Sequence, residues 1–138
     1  MDAPVPAAAV AGRHPMTVPP DHWFGVVTYF EELSAERPDF KPLAELVQEI
    51  AASRFSTALY PWTAADDLCL AQAPSRLPVE APHLRLRLMS DAAIEFLYIE
   101  GAMDPHLWRR VEPVELAYGR LLIFFDQLNW FGPESGRR

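Results

Sequence analysis

The chain has 138 residues, half of them hydrophobic and 12% aromatic, which supplies one buried core and excludes disorder for the bulk of it. A formal charge of −7 argues against a nucleic-acid partner, because affinity for phosphate backbones comes mainly from Lys and Arg. Apolar runs such as Leu121 to Phe125 fall far short of the ~20 residues a bilayer span needs, so no membrane partner is expected.

Residues 1–20, MDAPVPAAAVAGRHPMTVPP, are rich in Ala and Pro, with Asp2 where a signal peptide would carry positive charge. They read as a flexible tail ahead of a single domain over 21–132, with a second tail at 133–138. Asp21 is a suitable N-cap for a first helix carrying Trp23, Val26, Val27, Phe30 and Leu33 on one face and Glu31, Glu32 and Glu36 outside. Arg37-Pro38-Asp39 breaks that helix. A second helix from about Lys41 sets Leu43, Leu46, Val47 and Ile50 inward and Glu45 and Glu49 outward, which makes a helical hairpin.

Phe55 to Tyr60 reads as extended up to Pro61, and Asp67 to Gln72 as a short strand. The central feature is a β-hairpin over 83–100, where Leu84, Leu86 and Leu88 alternate with Arg85 and Arg87. A loop of odd length at Ser90–Ala92 puts Leu88 opposite Ile94, Leu86 opposite Phe96, Leu84 opposite Tyr98 and Arg87 opposite Glu95. A shift by one residue would turn apolar side chains toward charged ones. Residues 101–105 form a turn and Leu107 to Glu112 a further strand. A long C-terminal helix then runs from Pro113 to about Phe131, stopped by Gly132-Pro133. It is apolar nearly all round, so it is either deeply buried or has a second surface to cover. The expected fold is α+β: an N-terminal helical hairpin, an antiparallel sheet of about four strands and the long last helix.

No glycine-rich phosphate loop, nucleophile elbow or dinucleotide fingerprint occurs. The four histidines, His14, His22, His83 and His106, have no metal-ligand spacing, and no metal or cofactor is expected. The single Cys69, between Leu68 and Leu70, excludes an internal disulfide and reads as a buried, inert thiol suited to a reducing cytoplasm. Asp126, inside the apolar last helix, either faces solvent or pairs with an arginine such as Arg120 or Arg110. Several aromatic residues flank loops and element ends, where they either close the ends of a small core or serve as interface anchors.

In type, an acidic one-cysteine α+β domain of this size resembles the small bacterial immunity proteins that neutralise toxins. The resemblance rests on no motif and implies a toxin as one expected partner. The leading expectation is therefore a non-enzymatic cytoplasmic protein that binds another protein or self-associates as a homodimer. Its expected surface comprises Tyr60, Trp62, Asp66, Trp108, Glu112 and Trp130. Two alternatives stand beside it. One is a small-molecule-binding or enzymatic domain with a pocket between sheet and helices, using Asp66, His83, Glu95 and His106. The other is a subunit of a larger assembly. The second face of the hairpin, with Arg85, Arg87, Glu95, Leu97 and Ile99, is too apolar to be simply solvated, so the last helix or a partner should cover it.

Overall fold

A computed structural model describes residues 20–72, 82–90, 92–100 and 108–131. The tails, the expected turn at 101–105, His14 and His106 lie outside the described residues. Among the described residues there are three α-helices and five strands: α1 (Pro20–Glu36), α2 (Lys41–Ala51), β1 (Tyr60–Ala64), β2 (Asp67–Ala71), β3 (His83–Ser90), β4 (Ala93–Ile99), β5 (Trp108–Pro113) and α3 (Ala117–Gln127). The strands form one antiparallel meander in the order β1-β2-β3-β4-β5. The class is α+β, with five strands where about four were expected.

α1 starts one residue early, at Pro20, a residue preset for a first helical position. Asp21 thus sits in the first turn, where its charge meets the positive end of the helix. Trp23, Val26 and Phe30 are buried as their spacing demands. A 3₁₀ turn at Pro38–Phe40 leads into α2, which buries Leu43, Leu46, Val47 and Ile50. The Gln48 amide donates to Glu31 across the hairpin at 2.7 Å.

Residues 55–58 are not extended. Ser53 caps a 3₁₀ helix over Arg54–Ala58 by accepting from the Phe55 amide, and the Trp23 indole donates to the Ser56 and Leu59 carbonyls at 2.8 and 3.1 Å. A capping hydroxyl offers the backbone a local alternative to the ladder, which the apolar pattern cannot reveal. The first strand therefore begins at Tyr60 and holds Pro61 on a sheet edge, where a missing N–H is tolerated.

The hairpin register is as expected: Leu84↔Tyr98, Leu86↔Phe96, Arg87↔Glu95 and Leu88↔Ile94. The odd residue is absorbed differently. Ser90 pairs with Ala93, and a bulge between Leu88 and Ser90 takes up the extra position.

The C-terminal helix is shorter than expected at both ends. Pro113 still belongs to β5, Val114–Leu116 form a 3₁₀ turn, and α3 ends at Gln127. Asn129 supplies the stop, with a positive φ of 60°. Its amide donates to Asp126 and that of Trp130 to Phe125, both at 3.0 Å, and the Trp130 ring stacks on Phe125 at 5.7 Å. This is a Schellman cap with its hydrophobic clasp, and it turns Trp130 into the core.

The core cluster joins Leu68, Leu70, Leu84, Leu86, Ile94 and Phe96 of the sheet to residues of all three helices. Each large apolar side chain buried there contributes about 2 kcal/mol. Phe124 of α3 packs against both Phe96 and Trp108, with ring centroids 5.0 Å apart in each case. The last helix therefore lies on the same sheet face as the hairpin helices and leaves the other face to its own side chains.

Candidate functional site

Two surfaces carry organised chemistry. The first is the sheet face turned away from the helices. Alternation places Trp62, Asp67, Cys69, His83, Arg85, Arg87, Glu95, Leu97, Arg109 and Val111 there. Cys69 lies between Trp62 and Arg85, Arg87 opposite Glu95, and Leu97 between Arg85 and Arg109. Asp67 and Glu95 are buried, yet each is held by arginines. Asp67 Oδ2 accepts from Arg85 Nε at 2.7 Å and Arg87 Nε at 3.1 Å. Glu95 meets Arg87 Nη1 at 3.6 Å on one oxygen and accepts from Arg109 Nε on the other. Arg85 Nη2 also donates to the Ala64 carbonyl at 3.2 Å.

The result is a ladder of alternating charge across four strands, in which three guanidiniums face two carboxylates. Buried carboxylates are tolerated when their lone pairs are filled in this way. Cys69, 1% exposed, lies in the same layer, and burial pushes its thiol up to about 12, with Asp67 adding to the rise and Arg85 and Arg87 opposing it. At neutral pH it is a protonated thiol and no nucleophile. The Trp62 ring sits 5.1 Å from that of His83. Among the described residues no group of His, Cys, Asp and Glu could hold a metal ion.

The second surface is a groove of about 470 Å³ between α2 and the turn leading into α3. Pro42, Leu46, Val114 and Tyr118 supply apolar lining, and Glu45, Glu49, Glu115 and Gly119 complete it. Glu45 and Glu49 are one helical turn apart, so both point to the same side of α2. All three glutamates are exposed, and none makes an ion pair among the described residues. A Cβ added at Gly119 would meet nothing within 4 Å, so the lip of the groove is open at backbone level. Leu116 at the end of the 3₁₀ turn and Ile123 of α3 are 46% and 45% exposed.

The six aromatic and acidic residues singled out from the sequence do not form one patch. Tyr60 and Trp62 are half-buried on β1, Tyr60 near the His22 ring at 6.1 Å. Asp66 occupies the β1–β2 turn, where Ala65 and Asp66 both have positive φ (52° and 67°), and it accepts from Tyr29 Oη while Arg37 lies 3.5 Å away. That hydrogen bond, with burial, raises the Tyr29 pKa. Trp108 and Trp130 flank Tyr98, with Trp130 buried in the core and the half-buried Tyr98 and Trp108 packed against it, and Glu112 pairs with Arg120 at 3.3 Å. Asp126 is exposed and makes no ion pair among the described residues.

Of the residues expected to line a small-molecule pocket, His83 and Glu95 sit on the sheet face opposite the helices and Asp66 in the turn. They do not converge between sheet and helices. The groove was half-visible in the sequence, as the Glu45–Glu49 spacing. Only the fold brings Glu115 and Tyr118 across from it.

The structure thus defines an α+β meander closed on one face by helices. Comparison with protein-family models, curated proteins and solved structures returns no match.

Proposed function

We propose that this chain acts by binding a basic segment of another protein, without chemistry of its own, and that the groove between α2 and α3 receives it. The observation that carries the reading is an apolar floor rimmed by three carboxylates that nothing described neutralises. An apolar side chain of the partner would fill the space over Leu46, Val114 and Tyr118. Lysines or arginines beside it would meet Glu45, Glu49 and Glu115. The overall charge of −7 would steer such a partner in. The exposed Leu116 and Ile123 extend the apolar contact along α3. A basic toxin is one partner with this chemistry, in keeping with the resemblance to immunity proteins.

The test is affinity capture from the source cell with three baits: the native chain, the triple variant E45K/E49K/E115K, and E32K/E36K/D39K, at α1 and the turn after it, as a charge-matched control. Support requires a basic protein held by the native and control baits, lost from the triple variant, and cross-linked to α2 or α3. Equal capture by all three baits, or no partner, overturns the reading.

A further inference from the structure

The ladder on the opposite sheet face supports an inference independent of the groove. Its arginines are anchored but not used up. Arg109 donates to Glu95 through Nε, and neither of its Nη groups makes a hydrogen bond among the described residues. Arg87 spends Nε on Asp67 and one Nη on Glu95. Both side chains remain accessible, at 45% for Arg87 and 53% for Arg109. The two guanidiniums approach Glu95 through different oxygens, so one buried carboxylate fixes both. Preorganised donors of this kind bind an oxyanion without losing rotamer freedom at that moment.

Charge and shape narrow the ligand. Three guanidiniums against two carboxylates leave one positive charge in excess, which one monoanion neutralises. A planar guanidinium fork matches a carboxylate in bidentate geometry. Val111, 44% exposed, lies opposite Glu95 and two residues from Arg109 on the same strand face, and half-buried Leu97 lies opposite Arg109. An apolar body attached to the carboxylate would therefore lie along these two side chains. We infer that the Arg87–Arg109 face is a binding site for a small aliphatic monocarboxylate, with its carboxylate on the outer guanidinium nitrogens and its chain along Leu97 and Val111.

The test is a titration of the ¹⁵N-labelled chain with hexanoate, acetate, phosphate and chloride at constant ionic strength, following the arginine Nε–H and valine methyl resonances. Hexanoate is expected to shift Arg87, Arg109 and Val111 saturably and at least fivefold more tightly than acetate, with phosphate tracking chloride. Arg109→Gln should weaken hexanoate at least tenfold, and R120Q should leave it unchanged. Should R109Q unfold, R109K keeps the charge while losing the fork and should weaken binding at least threefold. Three results each overturn the inference: shifts that do not saturate, hexanoate binding that survives both Arg109 substitutions, or phosphate binding tighter than hexanoate.

Discussion

The two faces of the sheet are built from the same strands but by opposite means. Toward the helices, Leu84, Leu86, Ile94 and Phe96 are fully buried against apolar partners. Away from them, Asp67 and Glu95 are almost as buried and are held by charge. Apolar burial is non-directional and tolerates repacking, whereas a buried carboxylate depends on each hydrogen bond it accepts. The helical face should therefore dominate stability, and the charged face should dominate specificity of register.

The largest expected effect is on the apolar face. Phe96→Ala empties a site with no solvent exposure between Leu86 and Phe124 and should cost about 3–5 kcal/mol by urea denaturation. Next comes the ladder. Asp67→Asn removes the charge that Arg85 and Arg87 share and should cost about 2–3 kcal/mol. Glu112→Gln, which touches only the more exposed Arg120 pair, should cost less than about 1 kcal/mol. Equal losses in the two charge variants would break the distinction between a buried ladder and a surface pair.

Cys69 sharpens the same comparison through pH. Folding holds its proton up to about 12. The unfolded thiol loses its proton near pH 8.5. Stability from this group is therefore complete below that pH and falls by about 1.4 kcal/mol per unit as pH rises toward the folded value. The slope should appear between pH 9 and about 10.5 as the difference between the native chain and Cys69→Ala, which cancels the tyrosines. An identical pH dependence in the two proteins would mean the thiol is not sealed beneath the ladder.

Two glycines give the smallest effects and the most specific ones. Gly25 and Gly119 are both helical and exposed, and neither would meet a neighbour if given a Cβ. Alanine at either should stabilise the free chain by about 0.5–1 kcal/mol. Only Gly119→Ala should weaken partner binding, because only Gly119 lines the groove.

Much of the architecture was legible in the sequence for a physical reason. Hydrophobic period fixes which face a residue takes, so the stripes of α1 and α2 and the β3–β4 register from Leu84↔Tyr98 to Leu88↔Ile94 could be read from side chains alone, while the bulge before Ser90 could not. The misreadings fell where one polar side chain decides the backbone. Ser53 converts 54–58 into a 3₁₀ helix, and Asn129 ends α3 and turns Trp130 inward. That second cap is why an aromatic residue near a helix end became core and not display. The ladder was only partly foreseeable. Arg87 against Glu95 followed from the hairpin register, but Asp67 and Arg109 come from β2 and β5. Long-range pairing, absent from any local pattern, recruits both.

The proposed protein partner docks on the helical groove and not on the arginine face. This is tested most directly by measuring the affinity of the captured partner for E45K/E49K and for R87Q/R109Q beside the native chain. The account predicts a loss of at least tenfold for the first variant and less than twofold for the second. The reverse order would contradict it.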